Sequence, residues 1–296
     1  MPPPFTAPSL GVVTKADLEL GEGRTLHVYD TGDAGARLAV FWHHGTPNIG
    51  APPEPLFPAA EDLGIRWVSY DRPGYGGSTP DPGRNLASAA AGVSAVADRL
   101  GIDRFALMGH SGGGSHALAC GALLEERVVG MVSVAGLAPY GAEGLDFFAG
   151  MAPSGVASLG AAAEGRVAKE RFQASDAEYD PEFTAADHAA LEGEWSWFAD
   201  VVGPAVEGGP GGLIDDDLAY VSPWGGDPTG AKAPILLLHG GRDRVVPSSH
   251  AAAPRRNWAC TRPTGTSRSS NRARRRWSGS GGRRTALELL EVSGYR

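Results

Sequence analysis

The stretch RFALMGHSGGG, residues 104–114, decides the fold of this chain. Its apolar first half predicts a buried strand, and the run rich in alanine and leucine that follows predicts a helix. Between them, Gly109, Ser111 and Gly113 form the pattern G-x-S-x-G, which in a strand–turn–helix setting is typical of a catalytic serine on a sharp turn. We therefore predict that Ser111 is a nucleophile; the alternative is an ordinary glycine-rich turn.

The sequence on both sides of this stretch alternates between strand and helix signals. Continuous apolar runs in the later strands predict parallel strands that are covered on both faces. The first strands, separated by short turns, are expected to form an antiparallel meander, and Asn85 is expected to cap the first long helix. Strands are predicted at 11–20, 24–31, 37–43, 65–71, 104–111, 128–137 and 234–240, and helices at 85–101 and 113–128.

Residues 141–230 interrupt this alternation with helix-like pieces, loops rich in glycine and proline, and no convincing strand. We interpret them as a helical cap inserted into an α/β core. The predicted core is 1–140 plus 231–250, and 251–296 is an atypical C-terminal segment that we expect to be irregular.

The composition is that of an ordinary globular protein. Of 296 residues, 42% are hydrophobic and 20% are charged, and no apolar run approaches the ~20 residues of a membrane span. The N-terminus resembles no targeting signal, and the two cysteines, Cys120 and Cys260, predict neither a disulfide framework nor a metal site. We expect a cytoplasmic protein with no membrane partner.

Two further stretches fit the chemistry of Ser111. In FWHHGTP, residues 41–47, a strand ends in a loop whose backbone can bind an oxyanion, so we predict the N–H groups of Thr46 and Gly112 as the donors. In LLLHGGRDRVVP, residues 236–247, Asp243 ends a late strand, where a carboxylate can orient a histidine. Plain turns are the alternative in both stretches.

Other acidic residues were weighed against Asp243. Asp146, after the strand that precedes the predicted cap, is an alternative position for the acid. The run of three aspartates at 215–217 is expected to be a helix start or a solvated face rather than a site.

Together these motifs resemble the α/β-hydrolase fold, in its capped serine-hydrolase branch. The resemblance rests on HGTP at 44–47, DRPGYGGS at 71–78 and GHSGG at 109–113, and it covers about 12–250. It implies hydrolysis of small esters or related acyl compounds without a metal or organic cofactor, and a shaping role beside the oxyanion site for 71–78. A serine at 111, rather than an aspartate, disfavours relatives that attack alkyl halides or epoxides.

The resemblance also implies the chain order Ser, Asp, His, and here the histidine is missing. After Asp243 only His250 remains, seven residues on and at the start of a predicted helix, which makes it a poor candidate base. The other histidines are expected to support packing, strands or a surface helix: His27, His43, His44, His110, His116, His188 and His239.

The C-terminal segment occupies the place of that histidine. Residues 251–284 use, in 32 of 34 positions, only amino acids whose codons have G or C in the second base, Asn257 and Asn271 being the exceptions. With 23 Arg against 3 Lys in the chain, this indicates GC-rich DNA translated out of frame after VPSSH. The alternative is a genuine basic tail, since the last 46 residues carry a balance of +9. Reading the DNA in the other two frames separates these hypotheses.

Two rival functions remain open from the sequence. One is an aminopeptidase whose cap offers an acidic pocket to a free amine, and the other is a non-catalytic protein that binds a ligand. Trp195, Trp197 and Phe198 suggest an apolar pocket in the cap. In each case the predicted partner is a small molecule and not a nucleic acid.

Overall fold

A computed structural model describes residues 12–32, 35–253 and 258–261. Its centre is a sheet with the strand order β1-β2-β4-β3-β5-β6-β7-β8, in which the pairs from β4 to β8 are parallel and the pairs β1-β2 and β2-β4 are antiparallel. The strands are β1 (Thr14–Gly21), β2 (Arg24–Asp30), β3 (Leu38–His43), β4 (Ile65–Tyr70), β5 (Phe105–His110), β6 (Val128–Val134), β7 (Ile235–Leu238) and β8 (Trp258–Thr261).

Helices cover the sheet and fill the long connection between β6 and β7. They are α1 (Phe57–Leu63), α2 (Ser88–Arg99), α3 (Gly112–Leu123), α4 (Pro153–Ala163), α5 (Arg166–Gln173), α6 (Ala185–Glu192), α7 (Phe198–Glu207), α8 (Gly211–Tyr220) and α9 (Ser249–Ala252). Within the described ranges, none of these helices is long and apolar enough to cross a membrane.

The central strands are buried on both faces, as their apolar runs predict. In β5, Phe105 and Leu107 pack with α2 and α3 in one apolar cluster. Ala106 and Met108, on the opposite face, pack with α1 and α7 in a second cluster. Successive side chains of a strand point to opposite faces, so a strand between two helical layers needs apolar residues at every position. This confirms the predicted mostly parallel sheet between helices.

The amino-terminal strands differ from the predicted meander. β1 and β2 form an antiparallel hairpin, but β2 then pairs with β4, and β3 lies beyond β4 between parallel neighbours. The apolar run of β3 is therefore that of a central strand, and a short turn before it does not make it the neighbour of β2. The prediction was wrong in the placement of this one strand.

Two boundaries also differ from expectation. Helix α2 begins at Ser88, and Asn85 caps the turn before it, its side-chain oxygen accepting a 3.0 Å hydrogen bond from the Ser88 N–H. Strand β8 lies inside the segment that we expected to be irregular and pairs with β7. Residues 254–257 and 262–296, which carry most of the proposed frame slip, lie outside the described residues.

Five helices, α4 to α8, separate β6 from β7, and we call them the insertion helices. No strand lies between Val134 and Ile235, a stretch that is described throughout. Helix α8 returns the chain toward the sheet, since its Asp216 contacts Arg72 in the loop after β4. The division into core and cap remains a prediction.

Candidate active site

The turn at Ser111 is strained, and its glycines are required by close contacts. Ser111 has φ 53° and ψ −130°, a conformation that side-chain-bearing residues rarely adopt, and it lies between β5 and α3. A Cβ added at Gly109 would lie 2.1 Å from the carbonyl oxygen of Gly113. One added at Gly113 would lie 2.0 Å from the carbonyl oxygen of His43. Backbone atoms cannot yield at such distances, so both positions need glycine.

The predicted oxyanion donors lie next to each other. Because β3 and β5 pair in parallel with His43 opposite Gly109, the loop after β3 runs beside the turn after β5. A Cβ at Gly112 would lie 3.1 Å from Thr46 Oγ1. The two residues therefore share one small region at the carboxyl edge of the sheet, above the N-terminus of α3.

Asp243 lies in the loop after β7, at the same edge as Ser111, with β6 between their strands. Its Oδ1 accepts 2.9 Å hydrogen bonds from the N–H groups of Val245 and Val246, and its Oδ2 lies 3.6 Å from His239 Nε2. Burial raises the pKa of the Asp243 carboxyl, and the two N–H donors and His239 oppose that rise.

The alternative acid, Asp146, has a different setting. Its side chain is exposed, and its carboxylate accepts long hydrogen bonds from the N–H groups of Phe148 and Ala149, at 3.3 and 3.2 Å. Such a bonding pattern closes a local turn. Asp146 therefore stabilises a local turn.

His250 is buried and both ring nitrogens have backbone partners. Its Nδ1 accepts a 3.1 Å hydrogen bond from the Ala138 N–H, and its Nε2 donates to the Phe147 carbonyl at 2.9 Å. The ring is therefore neutral, with its proton on Nε2, and it ties α9 to the loop after β6. A base for Ser111 needs a free ring nitrogen, which His250 does not offer.

All eight histidines lie within the described ranges, and the ring hydrogen bonds described for five of them go to groups other than the Ser111 hydroxyl. Four of them surround the predicted oxyanion loop and elbow. Burial lowers the pKa of His43 to about 3 and of His110 to about 4, and it lowers the pKa of His44 and His116 well below the usual value. They are neutral packing groups, as expected.

The aspartate run at 215–217 corrects our expectation of a helix start or solvated face. All three side chains lie buried on α8, and each has its own cationic partner. Asp215 pairs with Arg166, Asp216 with Arg72 and Arg84, and Asp217 with Lys169. We expected three consecutive carboxylates to be solvated because charged side chains are seldom buried without partners. The partners exist here, but they are distant in the sequence.

Arg72 connects that run to the oxyanion loop. Its guanidinium donates to the carbonyl oxygens of His44 and Gly45 and to Thr46 Oγ1, the last two at 2.9 and 3.0 Å. Its side chain is only 2% exposed. The resemblance implies a shaping role for 71–78, and Arg72 contacts the predicted oxyanion loop directly.

The aromatic residues that suggested a pocket pack against the sheet. Trp197 is buried, and Trp195 and Phe198 are partly buried against the apolar cluster shared by α1 and α7. The Phe198 ring lies 5.4 Å from the ring of His110, centroid to centroid. The start of α7 therefore covers the end of β5 next to the elbow.

A serine in a strained turn between a parallel strand and a helix, with glycines packed against backbone on both sides, has the geometry typical of a nucleophile elbow in an α/β protein. The model of the alpha/beta hydrolase fold family matches residues 39–265. The chain belongs to this family.

Three relatives illustrate the similarity. A 2-hydroxy-6-oxononadienedioate/2-hydroxy-6-oxononatrienedioate hydrolase of Klebsiella pneumoniae is 32% identical over 165 residues, which cover 52% of this chain and 54% of that protein. The match thus spans about half the length of this curated relative. A thermophilic esterase from Thermogutta terrifontis has a TM-score of 0.58 at 18% identity, covering 95% of this chain and 99% of the esterase. An enol-lactonase from Burkholderia xenovorans LB400 has a TM-score of 0.61 at 20% identity, covering 91% and 98%.

Proposed function

We propose that this chain is a serine hydrolase for small esters or related acyl compounds. Ser111 Oγ attacks the carbonyl carbon, and the N–H groups of Thr46 and Gly112 stabilise the oxyanion of the tetrahedral intermediate. Loss of the alcohol leaves an acyl-Ser111, which water hydrolyses to the acid and free enzyme. The observation that carries the proposal is the positive φ of Ser111 between β5 and α3, with glycines packed against backbone on both sides.

The proposed mechanism needs a base that takes the Ser111 proton, with Asp243 as the group that orients it. The family order puts this histidine beyond Asp243, and the one histidine there, His250, is engaged by backbone groups. Loss of the base in a comparable triad costs on the order of 10⁶ in turnover, so we expect this chain to be a very slow hydrolase. The reading-frame hypothesis accounts for the missing residue.

The test is the reaction of the purified chain with an activated aryl ester and with a fluorophosphonate probe. We expect slow probe labelling that peptide mapping assigns to Ser111, little ester turnover, and no labelling of the Ser111→Ala variant. Labelling at another residue, or none at all over days, would remove Ser111 from the proposed role. Tight binding of a small apolar ligand without any labelling would favour the non-catalytic alternative.

A second candidate substrate class follows from the Klebsiella relative, which is named for hydrolysis of a 2-hydroxy-6-oxo dienedioate. Hydrolysis of this compound cleaves a carbon–carbon bond, and it also passes through an oxyanion at the attacked carbonyl. The N–H groups of Thr46 and Gly112 therefore suit both reactions. The two are separated by supplying each substrate to the same preparation. Faster loss of the dienedioate chromophore than of an aryl ester would select the second candidate.

A further inference from the structure

We propose that Asp216 is a positioning residue for the oxyanion donor Thr46, so that helix α8 of the insertion completes the catalytic site. The inference rests on the proposed function. It gives the buried aspartate at the centre of the 215–217 run a role in the reaction at Ser111.

The hydroxyl of Thr46 is fully used by three partners from elsewhere in the chain. A hydroxyl has one proton to donate and two sites that accept. Thr46 Oγ1 donates to Asp216 Oδ2 at 2.6 Å, and it accepts from Arg72 Nη2 at 3.0 Å. The remaining site takes the hydroxyl of Tyr220, at 2.7 Å. With all three positions filled, the side chain of Thr46 has one orientation.

Asp216 also acts on the peptide that carries the donor. The carbonyl of Gly45 and the N–H of Thr46 belong to one planar peptide group, and they point in opposite directions. Arg72 Nη2 donates to that carbonyl at 2.9 Å. Asp216 holds the same nitrogen at 2.6 Å, and its other oxygen accepts from Arg72 Nε at 3.2 Å. Fixing the carbonyl therefore also fixes the plane of the peptide that carries the Thr46 N–H.

Asp216 is suited to this role by its burial and its charge. Its side chain is wholly buried and is also paired with Arg84, at 2.7 Å. Burial would raise the pKa of Asp216, but Arg72 and Arg84 hold it well below its usual range. The carboxylate thus separates two buried guanidiniums that would otherwise repel each other. Tyr75 adds a 2.9 Å hydrogen bond from its hydroxyl.

Helix α8 reaches both predicted donors. Asp216 and Tyr220 are one turn apart, so their side chains share a face of the helix. The Tyr220 hydroxyl lies 1.9 Å from the position that a Cβ on Gly112 would occupy. The neighbours Asp215 and Asp217 instead pair with Arg166 and Lys169 of α5. Of the three aspartates, Asp216 faces the oxyanion loop.

The neighbouring Asp217 supplies a matched control. Asp217→Asn deprives the buried Lys169 of its carboxylate, and Asp216→Asn does the same to Arg72, so both changes disturb the packing of α8. Only the second change removes a partner of Thr46. We expect Asp216→Asn to slow fluorophosphonate labelling of Ser111 about 10- to 100-fold, since a single oxyanion donor is worth about 100- to 1,000-fold in rate.

The readout should separate binding of the probe from its reaction. Positioning of a donor predicts a fall in the maximal labelling rate, kinact, with little change in the probe concentration that gives half of it. Asp217→Asn should leave kinact within about threefold of the parent chain. Equal kinact values for Asp216→Asn and the parent would overturn the inference, and so would equal losses in the two variants.

A second variant keeps the inference testable if Asp216→Asn does not fold. Thr46→Val retains the backbone donor and the ion pairs of Asp216 but removes the hydroxyl that Asp216 contacts directly. We expect kinact to fall at least about tenfold, and an unchanged kinact would overturn the inference. If Ser111 of the parent chain is not labelled at all, the proposed function has failed; if it is labelled and these variants match it, only the role of Asp216 has failed.

Discussion

The two halves of the site are built in different ways. The oxyanion half comprises the loop 44–47, the elbow 109–113, Arg72 and α8, and its polar groups bind one another deep in the molecule. The acid–base half comprises 239–250, where Asp243 and His250 bind backbone groups of neighbouring turns. Every element of the first half precedes residue 221, whereas the second half begins at residue 239. The described contacts that hold the first half together therefore involve no residue beyond 250.

The largest expected effect comes from a side chain placed in the elbow. Gly113→Ala would put a Cβ 2.0 Å from the carbonyl oxygen of His43 and 2.5 Å from that of His44. Because the clashing atoms are backbone, we expect loss of the folded protein, measured as failure to recover soluble chain or a cooperative thermal transition. Gly160→Ala, in α4 with open space at its Cβ, is the control and should gain about 0.5–1 kcal/mol of stability. A normally folded Gly113→Ala chain would contradict the described turn.

An arginine from each half gives the next comparison. Arg72→Met leaves Asp216 with one guanidinium and frees two loop carbonyls, so the free energy of unfolding should fall by on the order of 3–5 kcal/mol. Arg244→Met removes an ion pair with Glu182 in which both side chains are well exposed, and it should cost less than about 1 kcal/mol. Urea unfolding of both variants measures the difference. Similar costs would mean that the oxyanion half is no more tightly bound than the loop after β7.

His250 tests the acid–base half directly. His250→Gln disturbs two buried hydrogen bonds to backbone groups, at a cost of about 1–3 kcal/mol, but should leave the rate of Ser111 labelling unchanged. Stability and labelling should be measured on the same preparation. A collapse in labelling, with stability intact, would identify His250 as the base and end the claim that this chain lacks one.

The last comparison is one of pH. Burial, with a smaller contribution from His239, lowers the pKa of His110 to about 4, so the unfolded chain binds a proton here that the folded chain refuses. Stability from this residue is therefore lost as the pH falls from about 6.5 toward 4, by roughly 1.4 kcal/mol per pH unit at most. His110→Gln should reduce the slope of unfolding free energy against pH by that amount. An unchanged slope in His110→Gln would contradict the buried neutral ring.

Much of the fold could be predicted because its signals are local. The apolar runs of β3 to β7 and the glycines around Ser111 each report on a few neighbouring residues, and they locate strands and elbow to within a few positions. The placement of β3 could not be read in this way. This placement depends on which strands pair with β3. The pairing is decided by the burial of the complete sheet on both faces.

The aspartate run shows what local patterns miss. Asp216 binds Arg72, 144 residues away, and the distance in sequence hides the pair from any periodicity argument. A composition cue was nevertheless present: Arg72 stands within DRPG, and an arginine next to a strand end needs an anionic or carbonyl partner once it is buried. Its binding to loop carbonyls was foreseeable in kind, but the helix that supplies the carboxylate was not.

The most direct test of the account is the rate of Ser111 labelling by a fluorophosphonate as a function of added imidazole. A built nucleophile that lacks only its base should react slowly alone and faster, in proportion to the free base form of imidazole, when a substitute is supplied. We predict this rise in the parent chain and none in Ser111→Ala. Fast labelling without imidazole, or no labelling of Ser111 at any concentration, would contradict it.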